Sequence, residues 1–177
     1  MTDNNLIQRG FLKDSSIYLS ASIISAAIGF LTLPIYTRFL SPADYGIVAL
    51  FLMFGQVSSG LISLGLQSAS YRYYFTYKDN IDEYKSLNSS IFIFLLFIYF
   101  LGGIFIYYRA NWFSLTLFDG KITTSLIRLS FLSGCMEYFF NYFTFILTAQ
   151  LRSITFSIIT ILNAIIKALF VLYFIFY

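Results

Sequence analysis

Five mostly apolar stretches, each close to 20 residues or longer, dominate this chain. They run from about Ser16 to Phe39, Gly46 to Ala69, Ser90 to Tyr108, Thr124 to Thr148 and Ile154 to Tyr177. A helix needs about 20 such residues to cross the hydrocarbon of a bilayer. Inside lipid every backbone polar group must be paired within the protein, which leaves helices or closed barrels. The apolar runs here are unbroken rather than alternating, which disfavours a barrel. The expected fold is therefore all-α: an integral membrane bundle of about five transmembrane helices, in a single domain over 1–177.

Composition agrees. Of 177 residues, 59% are apolar and 11% charged, against roughly 25% charged in a soluble domain. Mean hydropathy is +0.79. Disorder needs the opposite balance. The net charge of +3 is spread thinly, with no basic block, so nucleic acid is not an expected partner. There is no histidine, which removes the commonest general base and the commonest zinc ligand. The single cysteine, Cys135, lies in an apolar run and has no internal disulfide partner. HExxH, Walker A and GxGxxG patterns are absent, so no cofactor or metal is expected. Transport, channel or scaffold work remains, or a membrane enzyme using carboxylates alone.

The first stretch is too long for a signal-peptide core, and Arg38 before Ser41-Pro42 makes a poor cleavage site. Ahead of it, Leu6, Ile7, Phe11 and Leu12 share one helical face with Arg9 and Lys13 off it. This suits a short interfacial helix. The sequence predicts a tight turn at Leu40–Tyr45, a polar connection at Tyr71–Ser89, a mixed loop at Arg109–Thr123 and a minimal turn at Gln150–Ser153. Six loop Lys and Arg on the N-terminal side (Arg9, Lys13, Arg72, Lys78, Lys85, Arg152) face four on the other (Arg38, Arg109, Lys121, Arg128). That favours a cytoplasmic N-terminus. The chain stops at Phe176-Tyr177 with no polar tail, which reads as a truncation.

Small residues repeat every four positions at Ala21-Ser25-Gly29 and at Gly55-Ser59-Ser63, as in closely packed membrane helices. Gln56, Ser58, Gln67 and Ser68 make the second stretch polar enough to face a cavity or another helix. The third stretch, rich in Ile, Phe, Leu and Tyr, is expected to face membrane lipid.

Two charges sit deep. Glu137 and Lys167 lie fifteen residues either side of Arg152, and so at equal depth in a helical hairpin. A charge at the bilayer centre costs at least about 2.5–3.5 kcal/mol. An ion pair would offset that, and Asn141 and Asn163, one turn from each, could extend it into a polar strip. The strip either lines a hydrophilic cavity that binds a polar headgroup or couples to protons or cations, or only holds two helices together. Arg38 and Arg72 close the first and second stretches. Each suits interfacial anchoring or, through the guanidinium fork, phosphate contact. Asp79, Asp82 and Glu83, interspersed with Lys78 and Lys85, read as a solvated helix face.

The segment Pro34-Ile35-Tyr36-Thr37-Arg38-Phe39-Leu40-Ser41-Pro42-Ala43-Asp44-Tyr45-Gly46 resembles the amino-terminal part of polysaccharide repeat-unit flippases, the O-antigen and capsule exporters of the MOP (MATE-like) superfamily. Ser22 to Thr32 and Gly65-Leu66-Gln67-Ser68-Ala69-Ser70-Tyr71-Arg72-Tyr73-Tyr74 are similar too. The resemblance implies a bacterial inner-membrane transporter with two helical lobes that rock against each other. It would flip undecaprenyl-diphosphate-linked oligosaccharide without hydrolysing nucleotide, in some members coupled to an ion gradient. It assigns a substrate role to Arg38 and Arg72. Five stretches make up most of one lobe, so a second chain or copy would have to supply the rest, or the gene is broken. The competing readings are a membrane enzyme acting on polyprenyl-phosphate sugars, which would need Asp79, Asp82 and Glu83, and a non-catalytic envelope scaffold.

Overall fold

The structure, a computed structural model, describes residues 2–77 and 80–176, with side chains described over 12–77 and 80–173. Its elements are α1 (Thr2–Phe39), α2 (Pro42–Ile62), α3 (Leu66–Thr76), α4 (Ile81–Phe118), α5 (Thr124–Ala149) and α6 (Ser153–Phe176). No strand occurs among the described residues. The chain is an all-helical bundle, as expected. Leu12–Phe39, Pro42–Ile62, Ile81–Phe118 and Ser153–Tyr173 are long and apolar enough to cross a membrane. The fourth expected span, α5, has 26 residues and so sufficient length, but Arg128, Glu137, Asn141 and several hydroxyls make it less apolar.

Four expected boundaries differ. The second stretch is not one helix over Gly46–Ala69. Leu64 and Gly65 adopt left-handed φ values of 50° and 72°, which end α2 and start α3. Glycine takes that conformation freely, whereas leucine resists it. The Leu66 N–H to Ser63 O bond of 3.0 Å closes the turn. The connection expected at Tyr71–Ser89 and the loop at Arg109–Thr123 are mostly helical. α4 runs 38 residues, about 57 Å at 1.5 Å each, well beyond a hydrocarbon core of about 30 Å. Asp82 and Glu83 in its first turn complement the helix dipole. Asp119 and Gly120, both left-handed, cap its far end, where Gly120 N–H reaches Ser114 O at 2.9 Å. The amphipathic segment before the first span is no separate helix either: α1 runs unbroken from Thr2. The face formed by Leu6, Ile7 and Phe11 lies outside the described side chains.

The contacts form two compact units, Met1–Ser41 with Leu147–Tyr177, and Pro42–Ile146. In the first, α1 and α6 pack together in parallel. Ser153 Oγ donates to Asp14 Oδ1 at 2.7 Å, and Ser157 Oγ to Ile17 O at 3.3 Å. Tyr18 meets Phe156 edge-on, with centroids 5.0 Å apart. Hydroxyls on the outer faces satisfy themselves within the helix, as Ser16 does on Leu12 O at 2.7 Å.

The second unit holds a true core. Leu95, Tyr99, Ile106 and Ala110 line one face of α4 and pack with Phe131 and Tyr142 of α5. The stretch expected only to face lipid is thus also the spine of this unit, with Ile93, Phe97 and Phe100 exposed on its other side. A stripe of one helix face buried and the rest apolar is what a lipid-facing bundle helix needs, because lipid tails and protein interior are equally apolar.

Candidate functional site

Two side-chain types in α2 dictate how closely it approaches α5. Gly55 has no Cβ, and one placed there would collide with the Ser130 backbone oxygen. A Cβ on Gly134 would overlap the backbone of Gly55. Only glycine therefore fits at either position, and Ser130 Oγ donates to Phe51 O across the same crossing. The Gly55-Ser59-Ser63 stripe is buried along this face, and Tyr99 Oη donates to Ser59 O at 2.8 Å.

Beside the crossing a cleft of about 20 Å³ opens, with room for roughly one water molecule. Gln56 of α2 and Ser133 and Glu137 of α5 supply its polar lining. One turn further along α5, Asn141 O accepts a long 3.4 Å bond from Gln67 Nε2 on α3. Gln56 of α2 and Gln67 of α3 thus lie on the α5 side that carries Glu137 and Asn141. The Ser58 hydroxyl is spent on Phe54 O at 2.6 Å within α2. Chemically, this is a short polar track of one carboxylate, amides and a hydroxyl, which suits hydroxyl-rich ligands or a cation rather than a free anion.

The other residues of interest stand elsewhere. Lys167 and half-buried Asn163 lie one turn apart on α6, in the α1–α6 unit. Arg38 occupies the last turn of α1, exposed, with no hydrogen bond or ion pair among the described residues. Arg72 lies exposed on α3, in an aromatic setting where Tyr71 stacks at 4.8 Å on Phe145 and Tyr74 at 5.2 Å on Tyr84. Asp82 is tied to Lys85 at 3.0 Å, and Asp79 falls outside the described residues. An exposed i,i+3 pair of this kind contributes little.

Sequence reasoning missed a polar node. Asn88 Oδ1 accepts from Ser70 Oγ at 2.7 Å and from Tyr142 Oη at 2.6 Å, filling both of its lone pairs. It joins α3, α4 and α5 beneath Arg72's helix. Asn88 lies just outside the apolar stretch, so hydropathy assigns it to a loop. Arg128 was missed as well, counted only as a loop charge. Its guanidinium lies 4.0 Å from the Tyr107 ring centroid and donates to Tyr107 O at 3.2 Å.

Against known proteins, a family model described as polysaccharide biosynthesis protein matches residues 11–177, nearly the whole chain. No curated protein and no solved structure matches it. The all-helical bundle, with four apolar, membrane-length helices among the described residues, is consistent with that match. The chain belongs to the polysaccharide biosynthesis protein family, that of the polysaccharide repeat-unit flippases of the MOP superfamily.

Proposed function

We propose that this chain takes part in flipping undecaprenyl-diphosphate-linked oligosaccharide repeat units across a bacterial inner membrane, with its N-terminus in the cytoplasm. The observation that carries the reading is the family match over residues 11–177, on a chain whose described residues include four membrane-length apolar helices. At family level the role is transport in polysaccharide biosynthesis rather than enzymatic catalysis.

Alternating access needs two moving halves around a shared site. In this proposal the moving halves are completed by helices beyond those of residues 1–177. Arg38 and Arg72 meet the diphosphate, because a guanidinium offers paired donors to phosphate oxygens. Glu137, Asn141, Asn163 and Lys167 contact the polar sugar. Support for the sugar-facing role comes from the cleft beside Glu137, where Gln56 and Ser133 add further hydrogen-bonding groups.

The test is rescue in a strain lacking its own repeat-unit flippase. Expression of this chain together with the missing helices restores surface polysaccharide, read on gels of extracted glycan. Arg38→Ala and Arg72→Ala each reduce export, and Glu137→Gln reduces it less. Failure of the assembled, membrane-inserted transporter to export any lipid-linked glycan contradicts the proposal. Full export by Arg38→Ala removes that residue from the site.

A further inference from the structure

A second cavity, far larger than the Glu137 cleft, lies along the opposite side of α5. It encloses about 640 Å³ between α4 and α5, within the Pro42–Ile146 unit. Its floor is buried and apolar: Tyr99, Ile106, Phe131 and Cys135. Its rims are exposed and apolar, with Leu96 and Phe100 on α4 and Leu132 on α5. One charged group closes it, the guanidinium of Arg128.

The dimensions define what fits. Along α4 the groove runs from Leu96 to Tyr108, twelve residues or about 18 Å. One leaflet of hydrocarbon is about 15 Å thick, half of the roughly 30 Å core. The charged end lies among Tyr107 and Tyr108, with Arg109 next in the chain, Trp112 one turn further on and Lys121 in the following loop. Aromatic and basic residues cluster in this way at the membrane–water interface. The groove thus begins at headgroup level and ends near the midplane.

Arg128 has no carboxylate partner among the described residues. One of its five donors goes to Tyr107 O, and its face stacks on the Tyr107 ring, which fixes the guanidinium plane. The other donors remain for an anion. Arginine is the side chain best matched to phosphate oxygens.

We infer that this groove is a binding site for one anionic glycerophospholipid of the surrounding leaflet, with an acyl chain between α4 and α5 and the phosphate on Arg128. A leaflet-length slot suits an ordinary acyl chain and is too short for a long polyprenyl tail. The site is separate from the Glu137 cleft and does not depend on the transport reading.

The test is native mass spectrometry of the detergent-purified full chain, with dioleoyl phosphatidylglycerol and dioleoyl phosphatidylcholine added in equal amounts. The expected result is one retained lipid per chain, with phosphatidylglycerol preferred by tenfold or more. Arg128→Gln abolishes the preference while the chain stays helical by circular dichroism. Gly103→Phe fills the groove instead; a Cβ there meets Phe131 at an ordinary 3.5 Å. It lowers retention of both lipids and leaves Arg128 in place. Equal retention of the two lipids by the natural chain overturns the inference. So does an unchanged preference in Arg128→Gln, a higher affinity for undecaprenyl phosphate than for phosphatidylglycerol, or a stable dimer that excludes lipid from the groove.

Discussion

The same small-residue spacing has different consequences in the two units. At Gly55-Ser59-Ser63 it brings α2 into backbone contact with α5, because α5 answers with Ser130 and Gly134 at the crossing. At Ala21-Ser25-Gly29 it does not. Ala21 is buried in the α1–α6 unit, but nothing lies within 4 Å of a Cβ placed on Gly29. Its neighbour α6 presents Phe156 and Ser157 near the start of that stripe rather than a glycine. A small-residue stripe is therefore only half of a close crossing. Two helices approach to backbone distance where both are small, since dispersion and hydrogen bonding, not hydrophobic expulsion, drive association in lipid.

Four substitutions break or sharpen that contrast. The largest effect is expected for Gly134→Val, which forces a branched side chain into the Gly55 backbone. Overpacking usually costs about 1–3 kcal/mol and sometimes more, and backbone cannot swing aside as a side chain can. Reversible unfolding in mixed micelles, followed by circular dichroism, should show a loss at or above that range. Gly29→Ala, the matching change in α1, should be neutral or stabilise by up to about 1 kcal/mol, because alanine favours helix and meets nothing there. Equal destabilisation by both would remove the distinction between the two stripes.

Next in size is Asn88→Leu. It strands the Ser70 and Tyr142 hydroxyls, both about 1% exposed, at roughly 1 kcal/mol for each lost bond. The same unfolding measurement should give about 2 kcal/mol, and Tyr142→Phe should recover part of that loss in the double variant. The smallest effect belongs to Ser153→Ala, which removes the hydroxyl bonded to Asp14. Interhelical hydrogen bonds in membrane proteins average about 0.6 kcal/mol, and this one sits at one end of the α1–α6 pair. A loss above 2 kcal/mol would mean that the α1–α6 unit depends on this bond far more than its packing implies.

Much of the architecture was legible because hydrocarbon imposes a length. The apolar run beginning at Ser16 falls within α1, and that beginning at Ile154 is helical as far as Phe176, while Gln56 and Gln67 turn toward the part of α5 that carries Glu137 and Asn141, as polar groups in lipid need partners. The ends of helices were not legible. Hydropathy marks where a chain leaves lipid, whereas a helix stops only at a cap, as at Asp119-Gly120. For the same reason the nine residues from Ile81 to Ser89 looked like part of a loop. The break at Leu64-Gly65 was hidden for the opposite reason. It lies inside an apolar run, and a lone glycine there is equally compatible with a continuous helix. Of the candidate residues, Glu137 and Asn141 stood out by depth and charge, signals that a sequence carries, and Glu137 lines the cleft beside Gly55. Asn88 and Arg128 act through Ser70, Tyr142 and Tyr107, which lie 18, 54 and 21 residues away, and no local pattern announces such partners.

The account depends on these helices being solvated by lipid. The most direct measurement is extraction of membranes from cells expressing the full chain with alkaline sodium carbonate, followed by sedimentation. Helices of this length and apolarity should keep the protein in the membrane pellet until detergent releases it. Recovery of folded, helical protein in the carbonate supernatant would contradict the account.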